Sequence, residues 1–449
     1  MSNDYLKKLA QSRREFVRQT SLLAGGLMAA PLLSKGNYFS GADDAIKIVL
    51  IGCGGRGTGA AMQALSTKQN LKLVAMADAF QDNVEKCYAN LTKESASTSS
   101  AAKPSVKNKI DVPAERRFFG FDAYMKAIPL ADVVILATPP GFRPIHFAEA
   151  IKQNKHVFME KPVATDPAGI QKVLATAAIA KQRKLNVVVG LQRHYQNSYR
   201  ELFKRKDQIG DITSAQAWWN NDGVWVRPRK PGQTEMEYQM RNWYYFNWLC
   251  GDHINEQHIH NLDVINWFKE GYPVSAQGMG GRQVRKGKDN GEIFDHHYVE
   301  FTYADGSILN SQCRHIPGTM SKVDELFIGT KGKIQCGAAN IVDHKGKVLY
   351  QFDKKTENQP YQTEHDELFA AIAKGEYKFA DAENGAKSTM TSILGRMATY
   401  SGQVVQWDKA INSGLDIHPK VYSFDATPPV VPDADGFYPI AVPGKTTYA

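Results

Sequence analysis

Little in this chain points to a disulfide framework, a structural metal, a nucleic-acid partner or a membrane span. Its five cysteines (Cys53, Cys87, Cys250, Cys313 and Cys336) form no C-x-x-C pair and are odd in number, which argues against a disulfide scaffold and against a zinc site. The formal charge of +9 is concentrated at the start. Residues 1–42 hold six Lys or Arg against two acids, so 49 against 44 remain, a net of +5. No basic run survives beyond them, and charge does not single out nucleic acid as a partner. The apolar stretch from Thr20 to Leu33 is too short, and too interrupted by Gly and Pro, to cross a bilayer. At 449 residues, 43% hydrophobic and 22% charged, the chain is ordinary globular material, enough for about two or three domains.

That apolar stretch follows Ser12-Arg13-Arg14-Glu15-Phe16-Val17-Arg18 and precedes the small residues Ser40-Gly41-Ala42. The pattern reads as a twin-arginine export signal over residues 1–42. An amphipathic N-terminal helix of a cytosolic protein is the alternative, and a retained anchor is an alternative fate. Twin-arginine export carries folded proteins, so a cofactor bound inside the cell would travel with the chain.

The most informative segment is Ile46 to Asp78. An apolar β-branched run feeds into Gly52-Cys53-Gly54-Gly55-Arg56-Gly57, then a helix-compatible segment, then a second apolar run closed by Asp78. This is a dinucleotide fingerprint in its required context. Gly52 permits the tight turn, Gly54 lets the backbone approach a pyrophosphate, and Gly57 lets the helix pack on the strand with its amides toward the phosphates. Asp78 would accept the adenosine ribose hydroxyls and repel a 2′-phosphate, which favours NAD over NADP. Arg56 keeps NADP open.

Further strands are expected over Ala131–Ala137, His156–Met159 and Leu185–Gly190, with a helix over Pro167–Lys184. Strands alternating with helices imply a doubly wound parallel sheet. Thr138-Pro139-Pro140-Gly141 breaks the chain at its carboxyl edge and exposes backbone to a cofactor. Ser95–Pro104 reads as a surface insertion. Beyond residue 190 aromatics become dense (Trp218, Trp219, Trp225, Trp243 to Trp248), and alternation over Tyr298–Tyr303 and Ser307–Cys313 reads as antiparallel strands with one face covered. Helical spacing marks Glu364–Lys374 and Asn384–Gln403, and the Pro-rich end from Thr427 reads as an extended strap. The expected segments are a Rossmann domain over 43–189, an α+β domain over 190–420 and the strap over 421–449.

Two groups of residues carry chemistry. Glu160-Lys161-Pro162 follows the fourth strand at the cofactor edge, where an ammonium could hold a substrate hydroxyl and stabilise an alkoxide. In Gly251 to Asp263, acids and bases are dense. On a helix Glu256 and His260 would share a face, and Asp263 would orient His260 through its second nitrogen. Glu256, His260 and either His253 or Asp252 also suit a metal. Acid, base and orienter roles already account for these residues, so no metal is assigned. Trp243 stands in an aromatic cluster suited either to a core or to stacking a sugar.

Together, the G-x-G-x-x-G, the E-K-P, and the acid four residues before a histidine in H-x-x-D resemble the Gfo/Idh/MocA oxidoreductases over residues 45–420. The resemblance implies a Rossmann domain followed by an open-faced, mainly antiparallel sheet that binds substrate and often mediates oligomerisation, hence a homo-oligomer. It makes Lys161 the catalytic lysine and places Glu256 and His260 at the family's Asp and His pair, with Glu one methylene longer. His146, Gln192 and Arg193 fall where members contact the nicotinamide half or the substrate. An exported, aromatic-rich, Bacteroidetes-like subgroup acting on carbohydrates is the nearest in character. Cofactor contacts are thus expected from Gly52, Gly54, Gly55, Arg56, Gly57, Asp78, Thr138, Pro139, His146, Glu160, Lys161 and Gln192. Arg193, Arg241, Trp243 and Asp263 are the substrate contacts. The expected activity is hydride transfer between tightly held NAD and a secondary carbon of a sugar, sugar derivative or polyol in the periplasm or beyond. A redox-assisted glycosidase or epimerase is the second reading, and a noncatalytic sugar-binding protein that keeps NAD is the third.

Overall fold

The computed structural model describes residues 45–93 and 106–447. The segment read as an export signal and the Ser95–Pro104 insertion lie outside the described residues. The first half is built from β1 (Ile46–Ile51), α1 (Gly55–Leu65), β2 (Leu71–Asp78), α2 (Gln81–Thr92), β3 (Arg117–Phe119), α3 (Ala123–Ala127), β4 (Val133–Leu136), α4 (Arg143–Lys152), β5 (His156–Met159), α5 (Pro167–Gln182) and β6 (Val187–Val189). Its strands form one parallel sheet in the order β3-β2-β1-β4-β5-β6. Ile48, Val49 and Leu50 are all fully buried, as a parallel strand covered on both faces requires. The strand order reverses between β1 and β4, which opens a crevice at their carboxyl ends.

The second half follows through α6 (Asn197–Phe203), β7 (Ile212–Asn221), α7 (Glu235–Arg241), α8 (Asn247–Cys250), α9 (His253–Glu256) and α10 (Ile259–Lys269). Then come β8 (Ser275–Gly281), β9 (His296–Thr302), β10 (Ile308–His315), β11 (Lys322–Gly329), β12 (Gly332–Gln335), β13 (Asn340–Asp343) and β14 (Val348–Gln351). The last elements are α11 (Pro360–Ala373), α12 (Ala382–Ser401), β15 (Val405–Gln406) and α13 (Trp407–Ile411). The strands form a second sheet in the order β14-β13-β12-β11-β7-β10-β9-β8-β15. All its pairings are antiparallel except β7 with β10. Val299, Phe301, Leu309 and Cys313 point inward while their neighbours are partly exposed, the alternation of a sheet covered on one face.

Helix α12 joins the two sheets, and nearly every one of its 20 residues is buried. Glycine makes this possible: a Cβ on Gly385 would lie 2.9 Å from Val189, and one on Gly395 2.8 Å from Phe301. After α13 no regular element follows among the described residues, and the chain runs as a strap over the first sheet's carboxyl edge. His418 pins the root of the strap through Asp166, Nδ1 to Oδ2 at 3.0 Å. Phe424 then packs on Phe80 and Phe121, and Tyr422 on Phe121 and Phe142.

Candidate active site

The fingerprint glycines shape a cradle at the carboxyl end of β1. Gly52 has φ +98°, and a Cβ there would lie 2.5 Å from the backbone between Ala137 and Thr138. A Cβ on Gly57 would come within 1.8 Å of the Gly52 carbonyl oxygen, so any side chain at Gly57 would push α1 off β1. Gly54 and Gly55 differ, because nothing lies within 4 Å of their Cβ positions. Their open side faces the cleft, and α1 begins there without a side-chain cap, leaving first-turn amides free for an anion. Asp78 stands at the cleft's far end. Its carboxylate accepts from the amides of Cys53 (2.7 Å) and Phe80 (2.9 Å) and from Asn83 Nδ2 (3.0 Å), and burial, only partly offset by these bonds, raises its pKa. Open glycine backbone, a helix N-terminus and a fixed carboxylate in one groove fit a pyridine dinucleotide.

The groove has a volume of about 560 Å³ and continues from Asp78 past Thr138, Pro139 and His146 to Glu160, Lys161, Glu256 and His260. Burial, with Arg143 adding to it, pushes His146 down to about 3, so its ring is neutral, with Nδ1 3.2 Å from Thr138 Oγ1. Glu160 receives Arg56 Nε and leaves no room beside it: a Cβ on Gly190 would sit 2.8 Å from its Oε2. Lys161 Nζ donates to the Glu256 carbonyl at 2.5 Å and to its Oε1 at 3.1 Å. Burial raises the pKa of Glu256, opposed by the Lys161 charge and hydrogen bond. Burial, reinforced by the Lys161, Arg193 and Arg56 charges, holds His260 well below its ordinary value, so it is a neutral base. Trp219 stacks on it at 6.0 Å.

Glu256 and His260 reach the groove by a different route from the one expected. They do not share a helix: α9 ends at Glu256 and α10 begins at Ile259, with Gln257 and His258 forming a turn between. Asp263 does not orient His260. Its carboxylate is taken elsewhere, accepting from His194 Nε2 (2.7 Å), Ser388 (2.8 Å) and Asn384 (3.0 Å). Nδ1 of His260 is buried without a partner. Arg193 is largely buried in an ion pair with Glu325 and does not line the groove. Gln192 is likewise off the groove wall. Arg241 turns to the cofactor's adenosine end, where both of its terminal nitrogens meet Asp82 at 2.8 Å and its guanidinium lies 3.6 Å over Phe80. Trp243 does line the groove.

Several lining residues had little signal in the sequence. Tyr361, at the start of α11, lies beneath the Arg56 guanidinium at 5.2 Å, more than 300 residues away in the chain. Trp219, Met240, Gln257 and Arg227 also line the groove. Among the described residues two His/Asp clusters bring potential ligand atoms together, Asp252-His253-His297 and Asp166-Asp416-His418. Neither contains Glu256 or His260. Asp252 is already saturated by the amides of His253 and Phe294, by Tyr400 and by two imidazoles, and the second cluster pins the strap.

A profile of the oxidoreductase family with an NAD-binding Rossmann fold, Gfo/Idh/MocA, matches residues 46–190. Residues 46–190 thus belong to this family's NAD-binding domain. Inositol 2-dehydrogenase of Gluconacetobacter diazotrophicus is 30% identical over 162 residues, 36% of this chain and 42% of that protein. A 2,7-anhydro-N-acetylneuraminate hydratase of Escherichia coli is 24% identical over 211 residues, 46% of this chain and 51% of that protein. The chain thus matches about half the length of these relatives. Among solved structures, scyllo-inositol dehydrogenase of Lactobacillus casei with bound NAD(H) and scyllo-inositol superposes with a TM-score of 0.59 at 19% identity, covering 81% of this chain and 99% of that one. Aldose-aldose oxidoreductase of Caulobacter crescentus gives 0.59 at 16% identity, with 81% and 99% covered. The family's two-sheet fold is therefore shared over the whole of those chains.

Proposed function

We propose that this protein is an exported NAD-dependent oxidoreductase acting on a secondary hydroxyl or keto carbon of a sugar, sugar derivative or polyol. The observation that carries the reading is the single groove in which open fingerprint glycines and Asp78 at one end meet Lys161, Glu256 and a neutral His260 at the other. Relatives named inositol 2-dehydrogenase support the substrate class. When bound, the nicotinamide supplies a two-electron acceptor or donor. The chain's own part is proton and charge handling. His260, held unprotonated, takes the hydroxyl proton of an alcohol. The Lys161 ammonium stabilises the charge developing on that oxygen, and Glu256 holds the ammonium in place without leaving the groove uncompensated. Thr138, Pro139, His146 and Glu160 wall the nicotinamide side.

The strap supports the reading that the cofactor is retained. Phe80, Phe121 and Phe142 line the groove, and each is backed by Tyr422 or Phe424, so cofactor release at that end would disturb packed rings. A cofactor that stays bound must be recycled in place, which favours a second reading: a glycosidase, epimerase or similar enzyme without net redox change. The relative named a hydratase is consistent with that class of outcome. Export rests on Arg13 and Arg14, and Lys replacements at both should leave the protein in the cytoplasm on fractionation. The deciding experiment is mass spectrometry of what the purified protein releases on denaturation, followed by a sugar and polyol panel read at the reduced-cofactor absorbance. Released NAD with single-turnover reduction supports the dehydrogenase; product formation without accumulated reduced cofactor supports the second reading. Protein that releases no nucleotide and reduces none when NAD is added refutes both.

A further inference from the structure

Of the four cations that line the groove, two are ion-paired, one is buried against backbone carbonyls and one is exposed without a carboxylate. Arg56 is taken by Glu160 and Lys161 by Glu256, and behind the groove wall Arg241 is taken by Asp82. Arg143 is buried and donates to the carbonyls of Leu136 and Pro162. Arg227 lines the same groove, is exposed, and has no carboxylate within ion-pair distance among the described residues. Asp82, the acid whose charge it feels, is already engaged by Arg241. Arg227 is nonetheless held in place: its amide donates to Asn242 Oδ1 at 3.0 Å, and its Nη1 to the Arg241 carbonyl at 3.1 Å. Its guanidinium stacks 4.5 Å from the centre of the Trp225 ring. Trp225 in turn meets Trp243 edge-on at 5.8 Å, and both line the groove. Trp225 is 40% exposed, so part of its ring is open to the groove.

We propose that Trp225, Trp243 and Arg227 form a subsite for an acidic sugar, a ring or glycosidic unit bearing a carboxylate of the hexuronate type. The inference rests on the carbohydrate-oxidoreductase reading and names its substrate class. Indole faces take the apolar C–H face of a pyranose, while a guanidinium stacked on an indole keeps its outer edge free for bidentate contact with a carboxylate. One unpaired guanidinium matches a single negative charge. A phosphate would call for a second cation, and both Arg241 and Lys161 are engaged.

The test uses the full chain as purified, with its cofactor, and matched pairs: glucose with glucuronate, galactose with galacturonate, and the methyl glycosides of each. Single-turnover reduction of cofactor is followed for wild type, Arg227→Gln, Arg227→Lys and Trp225→Ala. Wild type should favour the acid member of a pair by at least ~10-fold in kcat/KM. Arg227→Gln should bring that ratio to near unity, Arg227→Lys should leave it intermediate, and Trp225→Ala should weaken both members. Equal or better use of neutral sugars by wild type overturns the proposal, as does an Arg227→Gln variant with the wild-type ratio. Loss of NAD from Arg227→Gln with the ratio intact would place Arg227 on the cofactor instead. If no sugar of either kind reduces cofactor, the oxidoreductase reading fails separately. Thermal stabilisation by glucuronate over glucose, present in wild type and absent in Arg227→Gln, then still decides the subsite.

Discussion

Two glycines of the fingerprint should respond to the same substitution in opposite ways. At Gly54 the backbone has φ −72° and ψ −174°, which any residue adopts, and no atom lies within 4 Å of a Cβ. Gly54→Ala restricts the unfolded chain, worth about 0.4–1 kcal/mol of stability. Alanine is also a poorer N-cap than glycine, which costs roughly 0.5 kcal/mol. The two contributions oppose each other, so the NAD-free protein should unfold within about 0.5 kcal/mol of wild type. The new methyl group, however, occupies the side of the cradle that a pyrophosphate must approach, and NAD affinity should fall at least ~10-fold, about 1.4 kcal/mol. Gly57→Ala is the converse. Its Cβ would lie 1.8 Å from a backbone oxygen of Gly52, a partner that cannot rotate away, so the fold should lose stability at or above the ~1–3 kcal/mol of ordinary overpacking. Thermal unfolding of NAD-free protein and calorimetric titration with NAD separate the two effects. Wild-type NAD affinity in Gly54→Ala, or wild-type unfolding in Gly57→Ala, would refute the assignment of the cradle.

Lys161→Ala and His260→Ala should each lower turnover by at least ~10²-fold with cofactor still bound, while Glu256→Gln should do less harm if the carboxylate only holds the ammonium; full turnover in Lys161→Ala would remove the proposed chemistry. Asp78→Ala should erode discrimination against NADP, measured as the ratio of the two dissociation constants, and an unchanged ratio would clear Asp78 of that role. His418 carries a pH signature. Burial lowers its pKa, but the hydrogen bond and charge of Asp166 outweigh burial and raise it above the ordinary value. The stabilisation is therefore fully present below about pH 6.5 and is lost as pH rises through the raised folded value. Limited proteolysis of the strap should accelerate over that rise in wild type and be insensitive to it in His418→Gln; a wild-type strap equally resistant at every pH would show that the pin does not matter.

Five strands of the parallel sheet were legible because they are buried on both faces and read as apolar runs, and because Gly52, Gly54, Gly57 and Asp78 sit at fixed offsets from β1 and β2; the short, half-exposed β3 was not. Lys161 was legible because it directly follows a strand at the cofactor edge. What failed was periodicity across a hidden break. Gln257 and His258 end α9 and restart the chain as α10, so Glu256 and His260 meet through the turn and not along one helix face. Asp263, three residues beyond His260 on α10, is taken instead by His194 and by Ser388 of α12. Nothing local in the sequence announces that turn. Arg193 and Arg241 failed for another reason: an arginine near a predicted site is read as free, yet a partner far along the chain decides its role. Glu325 lies on β11 and Asp82 on α2, and each ion-pairs with one of these arginines away from the groove wall. The same pairing, applied to the cations that line the groove, leaves Arg143 buried against carbonyls and Arg227 exposed without a carboxylate.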